Sequence, residues 1–259
     1  MMQPIWQVDA FSARRFGGNP AAVVLLDGWL PEQLLLWIAA ENNLSETAFI
    51  VGADGRYEIR WFTPVVEVPL CGHATLASAW VVMNRLEPSL HRVVFKSASG
   101  ELSVQRHDNR LVLDFPAGKL TPVEAAADLT RALGGEPREV HEGFQWLVVY
   151  DDEDDVRALA PDMNGLLATG VDGVIATAPG QDCDFVSRFF APALGVPEDP
   201  VTGSAHTLLT PYWAQRLGRD TLTARQISAR GGQLWCELAG ERVLIGGEAH
   251  LYLEGSIEI

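Results

Sequence analysis

The chain repeats itself, and that repetition constrains its fold more than any single motif does. The segment RWFTPVVEVP, Arg60 to Pro69, matches RFFAPALGVP, Arg188 to Pro197, at five of ten positions, with an offset of 128 residues in a chain of 259. The match continues past a small insertion. Leu70-Cys71-Gly72-His73-Ala74 aligns with Thr202-Gly203-Ser204-Ala205, so Gly72 corresponds to Gly203 and the offset grows to 131. Farther on, SASGEL from Ser97 resembles SARGGQL from Ser228, and Arg110-Leu111-Val112-Leu113 resembles Arg242-Val243-Leu244-Ile245. Self-similarity at this spacing means two copies of one plan, and the length leaves room for a core in each.

The order of elements within each copy follows from periodicity. IWQVDAF, AAVVLL, ETAFIV and YEIRWF precede the first matched glycine, and VVFKS, ELSVQ and RLVLDF follow it. These runs are β-branched, aromatic and partly alternating, with turn residues between them, which predicts strands. Between the two groups, His73 to Leu86 is apolar almost all round and ends before Pro88. A helix without a polar face must be buried on every side. Its counterpart, Ser204 to Leu217, stops at Gly218 and carries Pro211, which predicts a kink or an early end. Pro31 to Asn43 reads as an amphipathic helix packed outside. The expected fold class is α+β: two pseudo-symmetric halves, each a barrel-like, mostly antiparallel sheet around a central hydrophobic helix. Pro, Gly and Lys cluster between Phe115 and Pro122, which divides the chain into residues 1–118 and 119–259, the last strand being a candidate to cross back to the first domain.

Composition excludes several classes of function. Against 19 basic side chains stand 34 acidic ones, a formal charge of −15 that repels phosphate backbones and anionic bilayers, so neither nucleic acid nor membrane is an expected partner. No apolar run approaches the roughly 18 residues of a membrane span, and the opening MMQPIWQVDAF lacks a basic segment followed by an apolar one, so a cytoplasmic protein is expected. Cys71, Cys183 and Cys236 form no CxxC pair, and the six histidines show no HExxH spacing. Neither a disulfide framework nor a metal site is expected. The glycine patterns GxGxxG after a strand and GxxxxGK[ST] are absent, which argues against a hydride-transfer enzyme or a kinase.

Both central helices begin at a matched glycine. Halves of a duplicated protein generally meet across an approximate two-fold axis, so the two helix starts are expected to converge on a cleft that holds a small anionic metabolite. A helix N-terminus offers unpaired N–H groups and about half a positive charge, and Gly72 and Gly203 let a ligand approach closely. Cys71, His73, Asp199, Thr202 and Ser204 surround these starts, and Glu46 lies on the turn Asn42 to Thr47. Taken singly, each has a plain structural reading: Ser204 and Asp199 as helix caps, His73 as a satisfied buried histidine, Cys71 as an inert thiol, Glu46 as a solvated carboxylate. Their coincidence argues for more, because His73 and Ser204 both directly follow the paired glycines, which capping does not require of both.

FGGNPAAVVLL (Phe16 to Leu26), NLSETAF (Asn43 to Phe49), RWFTPVVEVPLCGHATLA (Arg60 to Ala77) and EDPVTGSAH (Glu198 to His206) resemble the signature segments of the phenazine-biosynthesis PhzF-like family. The resemblance runs from residue 5 to the C-terminus. It implies a diaminopimelate-epimerase-like fold, a homodimer, and catalysis without metal or cofactor. It implies further that Glu46 is the acid/base, that His73, Asp199 and Ser204 assist or bind substrate, and that Gly72 and Gly203, flanked by Cys71 and Thr202, open the substrate site.

Epimerases and racemases of that wider superfamily use two cysteines, one per half, each before a glycine at a helix start. Cys71 keeps the first position and Thr202 occupies the second. A hydroxyl is far too weak an acid or base to replace a thiol of pKa about 8.5, so two-thiol epimerisation is disfavoured. A single base suffices for an isomerisation in which Glu46 takes a proton from one carbon and returns it to another on the same face. The alternatives are a dehydratase or epimerase of an amino-acid derivative that relies on Cys71, and a small-anion binding protein without chemistry.

Overall fold

The computed structural model describes residues 2–124 and 126–259. The chain separates into two compact units, Met1–Phe115 with Leu244–Ile259, and Pro116–Val243. The division thus falls after Phe115, and the end of the chain belongs to the first unit.

The first unit begins with β1 (Met2–Ala10), β2 (Asn19–Leu25), α1 (Glu32–Asn42), β3 (Glu46–Ala53), β4 (Arg56–Phe62), β5 (Glu67–Val68), α2 (Gly72–Val81), β6 (Arg92–Ser97), β7 (Gly100–His107) and β8 (Arg110–Pro116). The second holds β9 (Thr121–Val123), α3 (Ala127–Leu133), β10 (Glu139–Glu142), β11 (Trp146–Val149), α4 (Glu153–Ala158), α5 (Met163–Ala168), β12 (Val174–Pro179), β13 (Phe185–Ala191), β14 (Val196–Asp199), α6 (Gly203–Leu217), β15 (Thr221–Gln226) and β16 (Gly232–Ala239). After β17 (Arg242–Gly247), the last strand, β18 (Ala249–Glu258), pairs antiparallel with β1.

The duplication is written in the strand pairings. In the first unit β1 and β2 are antiparallel, β2 and β3 parallel, β3 and β4 antiparallel, and β4 and β6 parallel. In the second the same four relations hold for β10 and β11, β11 and β12, β12 and β13, and β13 and β15. Even one ion pair is copied. Arg60 grips Glu67 through Nε and Nη2 at 2.7 and 2.5 Å, and Arg188 grips Glu198 the same way at 2.7 and 2.9 Å. Each guanidinium also lies over the phenyl ring two residues on, Phe62 at 5.1 Å and Phe190 at 4.8 Å. The matched arginines therefore tie β4 to β5 and β13 to β14 just ahead of each central helix.

Nine of the ten residues of α2 are buried, as a helix without a polar face requires. It packs against β1, β2, β3 and β18 and continues as a π-helical turn, Val82–Leu86, before Pro88. In the second unit α6 packs on β15 and β16. The early end expected at Pro211 does not occur. The helix runs unbroken over 15 residues, because the Thr207 carbonyl that Pro211 cannot serve accepts the backbone N–H of Gly118 at 3.0 Å.

Candidate active site

The short outer helices α4 and α5 are capped by aspartates: Asp152 accepts from the backbone N–H of Asp155 and Asp162 from that of Asn164. The two central helices are not. Their N-cap residues, Cys71 and Thr202, are extended and contribute no side-chain cap hydrogen bond. Neither start spends its cap side chain on its own first turn, which suits a backbone end that receives an anion.

At the start of α2 four polar side chains come together. Glu46 is the first residue of β3, placed there by the Asn43 left-handed turn that ends α1 and by the parallel register in which Glu46 lies opposite Ala21 of β2. Its Oε2 lies 3.1 Å from His73 Nε2, and the carboxylate side chain is 15% exposed against 4% for His73. Asn19, at the head of β2 and fully buried, places its Nδ2 3.1 Å from His73 Nδ1. Cys71 Sγ lies 3.5 Å from the same nitrogen. Burial pushes the His73 pKa down to about 3, so the ring is neutral at pH 7.

Glu46, Cys71 and His73 offer donor atoms within 4.8 Å of one another. Glu46 addresses Nε2 whereas Cys71 addresses Nδ1, the opposite edge of the ring. A cation needs lone pairs that point to one centre, and donors on opposite edges of one ring do not provide that.

At the start of α6 the polar groups close on themselves. The Thr202 hydroxyl donates to Asp199 Oδ2 at 2.5 Å, and the Thr202 backbone N–H donates to Gln226 Oε1 at 2.8 Å. Gln226 in turn donates from Nε2 to the Asp199 carbonyl at 2.7 Å and to Thr202 Oγ1 at 3.1 Å. Gly203 is buried at the first helical position, and Ser204 beside it is partly exposed. Thr202 thus has its hydroxyl proton committed to a carboxylate. His206, one turn further, is fully buried, and its Nδ1 lies 2.8 Å from the Thr202 carbonyl.

The expected site residues therefore fall near the two helix starts: Cys71, Gly72 and His73 with Glu46 of β3 against them in the first unit, and Thr202, Gly203 and Ser204 with Asp199 at the end of β14 in the second. Two partners escaped the sequence reading. Asn19 sits within the quoted FGGNP segment, where Asn before Pro reads as a turn residue. Gln226 ends a strand with no motif around it.

A family model described as phenazine biosynthesis-like protein matches residues 8–255. An uncharacterized isomerase of Pseudomonas aeruginosa is 54% identical over 255 residues, with 98% of each chain covered. A phenazine biosynthesis-like domain-containing protein of Rattus norvegicus is 41% identical over 286 residues, with 99% of each covered. Among solved structures, a PhzF family protein from Enterococcus faecalis superposes with a TM-score of 0.96 at 45% identity, both chains being covered in full. A hydroxyproline epimerase from Agrobacterium vitis shares the fold, with a TM-score of 0.64 at 14% identity over 99% of this chain and 92% of that one. The duplicated α+β plan, the Glu46–His73 pair and these matches lead to one conclusion: the chain belongs to the PhzF family of phenazine biosynthesis-like proteins.

Proposed function

We propose that the protein is a cofactor-independent isomerase that moves a proton between two carbons of a small carboxylate-bearing metabolite, with Glu46 as the single acid/base. The observation that carries this reading is the mostly buried Glu46 carboxylate held 3.1 Å from a neutral His73. An ionised carboxylate next to a neutral donor, in a site with little water, can both accept a C–H proton and give it back.

The first step takes the substrate proton onto Glu46 and leaves negative charge on the substrate, delocalised into its unsaturated system. The uncapped start of α2, with Gly72 allowing close approach, supplies fixed N–H dipoles for that charge. In the second step Glu46 returns the proton to a different carbon on the same face. The uncapped start of α6, with Gly203, Ser204 and Asp199, is assigned to holding substrate polar groups. Curated relatives named isomerases support the class of reaction.

Thr202 supports the one-base form, since its hydroxyl already donates to Asp199 and offers no second base. The competing readings are a Cys71-based dehydratase or epimerase and a binding protein without turnover. The test is a screen of small carboxylates for deuterium uptake from heavy water, with Glu46→Gln alongside. Uptake by the wild type that Glu46→Gln lacks supports the proposal; equal uptake by both overturns it, and binding without uptake by either favours the non-catalytic reading.

A further inference from the structure

In a chain with 34 acidic and 19 basic side chains an arginine meets a carboxylate easily, as Arg60, Arg188 and Arg216 do. Arg14 and Arg15 do not. Both are exposed, and neither guanidinium has an ion pair or hydrogen bond among the described residues. Adjacent like charges repel, so an unpaired couple of this kind costs free energy unless the loop that carries it is held in place.

This loop is held. Phe11, Phe16 and Gly18 take left-handed backbone angles, at φ 59°, 66° and 68°. A Cβ on Gly18 would lie 2.2 Å from the Ala10 carbonyl oxygen, so only glycine permits the turn. Asp9 Oδ2 accepts the Phe16 backbone N–H at 3.0 Å, and Ser12 Oγ accepts the Arg14 N–H at 3.2 Å and donates to the Arg14 carbonyl at 2.7 Å. The Arg14 side chain lies along Gly17, where a Cβ would stand 3.3 Å from its Cγ and its Nε. Two residues on is Asn19, whose amide faces the His73 ring at 3.1 Å. With successive Cα atoms about 3.8 Å apart, Arg14 Nε lies within about 12 Å of the Asn19 Cα. Over that distance the field of a charge is felt at low ionic strength and screened at high.

We propose that Arg14 and Arg15 are the anion-recruiting element of the site at the start of α2, and that they make negative charge a requirement of its substrate. This deepens the reading of Glu46 as the base that acts on a carboxylate and rests on it. At a net charge of −15 the protein as a whole repels such a substrate. Two positive charges beside the site reverse the sign locally, which raises the encounter rate of an anion and leaves a neutral molecule of the same shape unaffected. The Asp9 carboxylate of the same turn offsets at most one of the two. The gain scales with ligand charge, so a dicarboxylate gains more than a monocarboxylate and the corresponding amide gains nothing.

The test uses the full-length protein labelled with 15N and two nitroxides of one shape: 3-carboxy-PROXYL, an anion, and 3-carbamoyl-PROXYL, which is neutral. Their paramagnetic relaxation of backbone amides reports how often each visits a stretch of surface. The expected ratio, anion over neutral, is above one at residues 13–18 and below one along the acidic run DDEDD at residues 151–155. In Arg14→Gln/Arg15→Gln it falls below one at 13–18 and is unchanged at 151–155. A wild-type ratio below one at 13–18, or a ratio that the double variant leaves in place, overturns the proposal. For each carboxylate that exchanges deuterium in the screen, kcat/KM is expected to fall about 3–10-fold in the double variant at low salt, and the gap to close at about 0.5 M NaCl. Equal values at low salt overturn the recruiting role even where Glu46→Gln abolishes exchange. If Glu46→Gln instead keeps full exchange activity while the relaxation ratios hold, the catalytic reading fails and the recruiting pair stands.

Discussion

At the start of α2 the His73 ring lies between the Asn19 amide and the Glu46 carboxylate, each 3.1 Å from it; at the start of α6 Asp199, Thr202 and Gln226 form a closed ring. The backbones of the two starts are alike. Each has an extended, non-capping residue followed by a buried glycine, and each is preceded by a bidentate Arg–Glu pair. The difference lies in what the side chains do. The carboxylate at α2 is the group proposed to take up and release a proton, whereas the hydrogen-bonded ring at α6 holds a shape. The scaffold is kept in both units, and the proposed proton chemistry falls to the first.

The closed ring is the place where breaking the comparison should cost most. Gln226 makes three hydrogen bonds inside it and is 1% exposed, so Gln226→Leu strands the Thr202 N–H and takes one partner from the Asp199 carbonyl. Unsatisfied buried groups cost on the order of 1–3 kcal/mol each, and the expected loss is about 3 kcal/mol in a urea titration. A loss below about 1 kcal/mol would show that the ring is not what holds this helix start.

The duplicated arginines sharpen the comparison at a smaller scale. Arg188 is the more buried of the two, 13% exposed against 26% for Arg60, and it also donates from Nη1 to the carbonyls of Val156 and Leu159. Arg188→Met is therefore expected to cost about 2 kcal/mol and Arg60→Met about 1 kcal/mol by the same titration. Equal costs would mean that the carbonyl contacts add nothing.

The buried histidines give a sign. Burial lowers the pKa of His73 to about 3 and of His206 to about 4, both below the free value near about 6.5. Between those values the unfolded chain binds more protons than the folded one, so their contribution is present above pH 6.5 and is lost as pH falls toward 4. Each histidine contributes a slope of at most about 1.4 kcal/mol per pH unit in that window. Melting temperatures measured from pH 7 to 4 should fall less steeply in His206→Gln than in the wild type; parallel curves would place the acid sensitivity elsewhere.

Much of this was legible in the sequence, and the exceptions share a cause. The RWFTP and RFFAP segments, the paired glycines and the His73–Leu86 apolar run located both helix starts, because repetition and periodicity are local signals. Glu46 and His73 were recognised separately, and their 3.1 Å contact follows from the parallel β2–β3 register. Pro211 misled, because the N–H that replaces its own comes from Gly118, far away in the chain. Asn19 and Gln226 were invisible as partners for the same reason: each acts on a residue more than 20 positions away, in an orientation that only the folded sheet defines.

The central claim is that one carboxylate in the first unit does the proton chemistry and the neighbouring thiol does not. The direct measurement is the rate of solvent deuterium uptake into a turned-over carboxylate by Glu46→Gln and by Cys71→Ser. The account predicts a loss of roughly 10²–10⁴-fold for Glu46→Gln, the range that positioned proton transfer supplies, and a change within a few-fold for Cys71→Ser. The reverse order of effects would contradict it.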